Sequence, residues 1–494
     1  MAEPLDRRAF LAGVGTAGAL VLGGCGVSRV AGSLAASSGS AQKLARAIRG
    51  HVFARGAPGF TGAAHVYNER FDSVLPDAVA RPINAADVQA AVRWAVSNNV
   101  AVRARSGGHS YAGYSTLENG VVLDLRKLSS ISVDHSAGTA QVGAGAQLID
   151  VYAALAAHGA TLPAGSCPSV GVAGVTLGGG MGLAGRAFGL TTDNLVAAQI
   201  VTADGRLREV DEATDPDLLW ALRGGGGGNF GVVTRFTFKV HPLPAGAAWF
   251  IVSWPWSSAA QALTAWLNWG PRADDRATSI FHLSAAGGQA TVNVTGQYLG
   301  SSAALPSLLA PLRSVPGAYL ASGYQDYLGL QLRWAGCLGK GQAACHTVGA
   351  GPGGTLPRER FDAKSDYLTR QLPAAATTIL TEAIETRAGQ PGSGAILFDC
   401  YGGAINSVSP SATAFVHRDA LCAIQYLSYD TDYGWLDQTW QRMRPYVSGQ
   451  AYQNYIDASL PDWQQAYYGA NYTRLKSIRE QVDPHHFFRF PQAV

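Results

Sequence analysis

A chain of 494 residues that is 47% hydrophobic and 14% charged has more apolar material than one compact core needs, which points to two domains. Its formal charge of +3 is small and its Lys and Arg residues are dispersed. That excludes a nucleic-acid-binding face, which requires clustered cations. No metal site is expected.

Residues 1–40 read as an address rather than as part of the fold. Asp6-Arg7-Arg8-Ala9-Phe10-Leu11 has the pattern of a twin-arginine export motif, and the apolar run behind it, 12–22, is too short for a membrane span. Leu22-Gly23-Gly24-Cys25 has the form of a lipoprotein cleavage box, which would leave a lipid anchor on Cys25. The alternative is an ordinary signal that is discarded with its cysteine. Residues 32–40, rich in Ser, Ala and Gly, read as a flexible tether. An exported chain can keep disulfides. Cys337 and Cys345 bracket a glycine-containing loop and can bridge it, whereas Cys400 and Cys422 can equally be buried apolar residues.

Residues 41–245 alternate short β-rich runs with helical stretches. Apolar residues recur at helical spacing over 87–98, and 100–104 is a strand leading directly into Arg105-Ser106-Gly107-Gly108-His109-Ser110. Strands follow at 120–125 and 140–142, then a helix over 148–158 stopped by Gly159. A second glycine-rich loop reads Gly165-Ser166-Cys167-Pro168-Ser169-Val170-Gly171-Val172-Ala173-Gly174 and runs on to Gly178-Gly179-Gly180. Asp204-Gly205 marks a hairpin turn between strands 197–202 and 207–210. A short helix over 218–222 and a strand over 232–240 complete this half.

Composition changes after His241-Pro242-Leu243-Pro244: nine of the eleven tryptophans lie beyond it. In residues 246–445, β-rich runs at 250–254, 290–298 and 395–401 accompany helical stretches at 261–269 and 365–388. The pattern predicts a large antiparallel sheet with helices on one face. Residues 446–494 form an aromatic-rich block containing Tyr452-Gln453-Asn454-Tyr455 and Asp483-Pro484.

Glycines let backbone N–H groups close on an anion, so each glycine-rich loop suits a diphosphate. One carries an imidazole, His109, and the other a thiol, Cys167. Together with the element order and the C-terminal block, they resemble the berberine-bridge-enzyme-like branch of the vanillyl-alcohol-oxidase flavoproteins over residues 45–490. The resemblance implies an α+β fold. A two-part PCMH-type FAD-binding domain would carry an inserted antiparallel-sheet substrate domain, and the C-terminal segment would return to the FAD domain. It also implies FAD attached covalently, through His109 at the 8α-methyl and Cys167 at C6. Ser106, Gly107, Gly108 and Ser110, with Arg105 of the same motif, are expected at the diphosphate. Gly171, Val172, Gly174, Gly178 and Gly179 are expected on its other side, and Asp193 and Val232 toward the ribityl or adenine end. The glycines do not make a Rossmann fingerprint, since no β-α-β unit with a suitably spaced acidic residue follows them.

The resemblance places Tyr455 at the catalytic-tyrosine position and Gln425 at a facing position where a glutamine cannot accept a proton. Phe188 stands where monolignol-oxidising relatives carry a tyrosine. Tyr455 is therefore the expected base, its phenolate requiring stabilisation by neighbouring donors, with Tyr401 and Tyr111 as second candidates. Val170 matches a position read as an oxygen gate beside the flavin, and valine leaves room for oxygen. The expectation is a secreted oxidase that passes a hydride from a sugar, oligosaccharide or glycosylated metabolite to FAD and reduces oxygen to peroxide. The alternative is a tailoring oxidase, oxidative cyclase or dehydrogenase of the same family.

Overall fold

In the computed structural model of the protein the described residues are 30–349, 353–429 and 433–494. The export motif, the apolar run and Cys25 lie outside them. The described chain begins with a helix, Val30–Ala47. It takes in residues 32–40, so the expected tether is helical. Ala41 and Leu44 anchor this helix in the core, with Ile48 just past its end.

Strands β1 (His51–Ala54), β2 (Ala78–Arg81), β3 (Ala101–Arg105) and β4 (Gly120–Asp124) form a sheet in the order β1-β2-β4-β3, parallel except for β1. The helix Ala85–Ser97 connects β2 to β3 and starts two residues earlier than periodicity suggests. Asn84 caps it by accepting a hydrogen bond from Asp87 N at 2.9 Å.

Further strands follow: β5 (Ile131–Asp134), β6 (Thr139–Gly143), β7 (Ala160–Thr161), β8 (Leu195–Val201), β9 (Leu207–Asp211), β10 (Val232–Lys239) and β11 (His241–Pro242). Five of them make an antiparallel sheet, β5-β6-β10-β8-β9, while β7 pairs with β11. The expected hairpin at Asp204-Gly205 joins β8 to β9.

The second half builds one seven-stranded antiparallel sheet from β12 (Ala247–Trp254), β13 (Ala277–Ala286), β14 (Gln289–Tyr298), β15 (Tyr319–Gln325), β16 (Asp362–Leu368), β17 (Ser393–Cys400) and β18 (Cys422–Tyr429). Its order is β15-β12-β14-β13-β17-β18-β16. Residues 365–368, expected as helix, belong to β16, and the helix proper is Ala374–Ala388. Pairing with β18 holds those four residues extended, and Pro373 stands immediately before the helix.

Strand alternation decides which face does what. Phe250, Val252, Phe281, Leu283, Val294, Ile396, Phe398 and Ile424 are buried on the helix-covered face. The intervening residues turn the other way, toward the FAD-binding half. The C-terminal segment closes the gap between the halves. Tyr452 Oη accepts from Gly180 N at 2.8 Å and Met181 N at 3.2 Å, Asn454 Nδ2 donates to Val175 O at 2.9 Å, and Val494 N donates to Asn229 Oδ1 at 3.0 Å. Cys337 and Cys345 are buried thiols packed with Ile149 and Ala335, not a disulfide. Cys400 and Cys422 are cross-strand partners between β17 and β18, also as thiols.

Candidate active site

The two glycine-rich loops meet backbone to backbone. A Cβ on Gly107 would stand 2.2 Å from Gly171 N, and one on Gly171 would stand 2.1 Å from Gly107 N. Only glycine permits that approach, and it brings the His109 and Cys167 loops onto one cavity of about 840 Å³. Ser106, Gly107, Gly108, His109, Ser110, Cys167, Val170, Gly171 and Gly174 all line it. A Cβ on Gly174 would meet nothing within 4 Å, so the backbone there opens directly on the cavity. Ser110 also accepts from Tyr114 N at 3.1 Å, fixing the turn that follows His109.

The His109 ring stacks on Tyr67 with centroids 3.9 Å apart, and its Nε2 lies 3.0 Å from Ser169 Oγ. Burial pushes its pKa down to about 3, with a hydrogen bond to the Ser169 carbonyl opposing the shift. The ring is therefore neutral at physiological pH, the state in which a nitrogen carries a nucleophilic lone pair.

This cavity suits a flavin dinucleotide. It is within the upper range of ligand sites, which run to about 1,000 Å³, and its walls are cradles that a side chain would fill. Arg103 Nε, Tyr114 Oη and Gln453 Oε1, from residues lining it, are buried without a hydrogen-bond partner. They offer donors and an acceptor to a polar ligand.

Several residues expected at the cofactor are placed elsewhere. Arg105 is buried away from the cavity, donating to Ala64 O at 3.0 Å and pairing with Asp124 at 3.2 Å. Its motif position is explained by support of the loop from below. Asp193 pairs with Arg418 at 2.6 Å and accepts from Leu190 N, outside the lining. Val232 points into the core, and its neighbours Gly231 and Val233 line the cavity in its place. Val172 is core within the helix Val172–Leu177. Gly178 and Gly179 make room for the C-terminal segment: a Cβ on Gly178 would meet Asn454 Oδ1 at 2.1 Å, and one on Gly179 the Phe415 ring at 3.0 Å.

The same cavity is lined by Tyr111, Gln425, Tyr455 and a carboxylate that the sequence reading missed, Asp399. Tyr455 stacks on Tyr111 (5.4 Å, 9°) and meets Tyr452 edge-on at 4.9 Å. Its hydroxyl points to Asp399 Oδ2 at 3.3 Å. Gln425 Nε2 donates to Tyr111 Oη at 2.7 Å. Burial, then the Asp399 charge, then the neighbouring phenols raise the Tyr455 pKa well above the ordinary value for tyrosine. This corrects the expectation of a phenolate stabilised by nearby donors: Tyr455 is a protonated phenol beside a carboxylate. Tyr401 is also corrected, because it is fully buried outside the lining with its hydroxyl 2.9 Å from that of Tyr367.

Asp399 is the last residue but one of β17, shortly before the turn at Gly402 (φ +105°) and Gly403 (φ +54°). The buried guanidinium of Arg186 fixes that turn, donating to Tyr401 O at 2.5 Å, Ala277 O at 2.9 Å and Pro271 O at 3.0 Å. Phe188 stacks on His241 at 4.3 Å and does not reach the cavity.

The seven-stranded sheet supplies one face of the cavity, its floor. Register aligns Ser253, Asn293, His282, Leu397 and Gln425 in one row across five strands. At about 4.8 Å per strand this row is roughly 19 Å long. None of its side chains is an acid, Lys or Arg, and His282 Nε2 lies 2.9 Å from Thr295 Oγ1. The tryptophans of this half are mostly core: Trp266, Trp269, Trp435 and Trp440 are buried, while Trp254 and Trp334 touch the cavity.

Comparison with known proteins agrees with this geometry. A model described as "FAD binding domain" matches residues 76–211, and one described as "Berberine and berberine like" matches residues 451–494. The chain is 32% identical over 462 residues to the uncharacterized FAD-linked oxidoreductase YgaK of Bacillus subtilis, covering 90% of this chain and 97% of the relative. It is 30% identical over 477 residues to the xylooligosaccharide oxidase of Thermothelomyces thermophilus, covering 90% of this chain and 92% of the relative. Among solved structures, Physcomitrella patens BBE-like 1 superposes with a TM-score of 0.85 at 31% identity, covering 92% of this chain and 98% of that one. The chain is an FAD-linked oxidoreductase and belongs to the berberine-bridge-enzyme-like family of the PCMH-type flavoproteins.

Proposed function

We propose that this protein is a secreted oxidase with FAD held by bonds to both His109 and Cys167, and that it oxidises an alcohol or hemiacetal carbon of an oligosaccharide. The observation that carries this reading is the Tyr455–Asp399 pair in the cavity that His109 and Cys167 also line. Bound FAD supplies the hydride acceptor and returns the electrons to oxygen as hydrogen peroxide.

The chain's own residues handle the proton. Tyr455 holds its proton on Oη and directs it at Asp399 Oδ2. A substrate hydroxyl that donates to Tyr455 Oη loses its proton as the phenol passes its own to Asp399. The 3.3 Å separation exceeds a settled O–H···O bond, and such contacts tighten once substrate is in place. Gln425 holds the Tyr111 hydroxyl, and the Tyr111 ring in turn backs Tyr455. The row Ser253, Asn293, His282 and Gln425 offers polar side chains without an acid, Lys or Arg, which suits a neutral polyhydroxylated ligand longer than one sugar ring. The names of similar proteins, xylooligosaccharide oxidase and chitooligosaccharide oxidase, support the same class. Val170 on the cavity wall is read as the oxygen gate. The twin-arginine motif supports export, and the lipoprotein box at Cys25 supports a lipid anchor.

A peroxide-release screen over mono-, di- and longer oligosaccharides tests the reading. Turnover that improves with chain length is expected. Turnover confined to polyketide glycosides would move the protein to the tailoring branch.

A further inference from the structure

Ser169 is the side chain through which the two glycine-rich loops touch chemically. It lies two residues after Cys167, is buried, and presents Oγ 3.0 Å from His109 Nε2. A serine hydroxyl accepts as readily as it donates, so Oγ can take an N–H from Nε2, and this contact engages Nε2 rather than Nδ1. The ring face is fixed independently by the stack on Tyr67 at 3.9 Å.

We propose that Ser169 is the positioning residue for flavin attachment at His109, holding the proton on Nε2 and leaving Nδ1 as the nucleophile. The proposal rests on the reading of His109 as an attachment site. A neutral imidazole has one N–H and one lone pair, and the partner of one nitrogen determines which nitrogen is which. An acceptor on Nε2–H also raises the basicity of Nδ1.

The step balances as follows. A bond forms between Nδ1 and the flavin 8α carbon, which gives up one proton while Nε2 gives up another. The two electrons leave through the flavin to molecular oxygen, which takes both protons as hydrogen peroxide. Nε2 is then unprotonated, and the Ser169 hydroxyl turns from acceptor to donor. A hydroxyl does both, which a methyl group cannot.

The test follows attachment directly. Full-length wild type, Ser169→Ala and Ser169→Thr are expressed and sampled over time after induction. Samples are quenched in acid, and flavin is quantified on the His109 and Cys167 peptides by mass spectrometry. In Ser169→Ala, attachment at His109 should slow about tenfold, the factor that one neutral hydrogen bond supports. Attachment at Cys167 should continue at the wild-type rate, and Ser169→Thr should restore His109. Equal rates on the His109 peptide in wild type and Ser169→Ala would overturn the proposal. So would equal slowing at both peptides, because Ser169 would then only support the loop. A wild-type His109 peptide without flavin would overturn the attachment reading itself, separately from the role of Ser169.

Discussion

Replacing Asp399 with asparagine removes the proton acceptor while leaving the site's shape in place. The amide oxygen can still accept from Tyr455 Oη, and the Tyr455 ring keeps its stack on Tyr111 and its edge contact with Tyr452. Asp399 is 5% exposed, so bulk water does not take over its role. A general base contributes on the order of 10²–10⁴ in rate, or roughly 3–5 kcal/mol of barrier. Flavin reduction in Asp399→Asn should slow by that factor in anaerobic stopped-flow, with substrate affinity and flavin content retained. Tyr455→Phe should lose a similar factor. The double variant should be little worse than either, because the two groups move one proton along one path. Wild-type reduction in Asp399→Asn alongside a slow Tyr455→Phe would refute the relay and leave the tyrosine as sole base. Losses that multiply would also refute it, by showing that the groups act separately.

Val170→Leu should slow reoxidation by oxygen in rapid-mixing experiments while anaerobic reduction stays near wild type, since Val170 lines the cavity but is remote in role from the proton relay. Gly171→Ala should lower both flavin content and melting temperature, because its Cβ would stand 2.1 Å from Gly107 N and backbone cannot yield cheaply. Asp124 is fully buried beneath the His109 loop and pairs with Arg126 at 2.7 Å, Arg81 at 3.1 Å and Arg105 at 3.2 Å. Burial alone would raise its pKa, but Arg105 and Arg126, with Arg81, bring it down to about 2. Its contribution is therefore present above the unfolded value near 4 and lost as pH falls through about 2, amounting to roughly 2–3 kcal/mol. Asp124→Asn should cost about 3–5 kcal/mol at neutral pH in chemical denaturation, as breaking a buried pair does, and should flatten the loss of stability in that acid window.

Much of the site was legible because loops that bind phosphate need glycine, and glycine stands out in a sequence. His109, Cys167, Val170, Tyr455 and Gln425 all come to one cavity. Asp399 was not legible. Parity along β17 puts residues 395, 397 and 399 on the cavity side, but the sequence does not show that the strand stops at Cys400, leaving Asp399 on the lining and Tyr401 buried outside it. Arg105 and Asp193 were misplaced for a related reason: a charged residue beside a binding motif can be held in an internal ion pair, and its partner is distant in sequence. Arg105 finds Asp124, and Asp193 finds Arg418, 225 residues away. Periodicity also failed at residues 365–368, where tertiary pairing with β18 decided the conformation. The tether expected at 32–40 rested on small residues, which are equally at home in a helix whose far end is anchored by Leu44.

One cavity brings the flavin site and the proposed Tyr455–Asp399 relay together over the sheet face read as the oligosaccharide site. Anaerobic titration of the purified holoprotein with xylo-, cello- and chitooligosaccharides tests it most directly, followed by admission of oxygen. At least one series should bleach the flavin colour, and oxygen should restore it with one peroxide released per flavin. A flavin that stays yellow with every oligosaccharide, in protein whose flavin is bleached by dithionite and restored by oxygen, would contradict it.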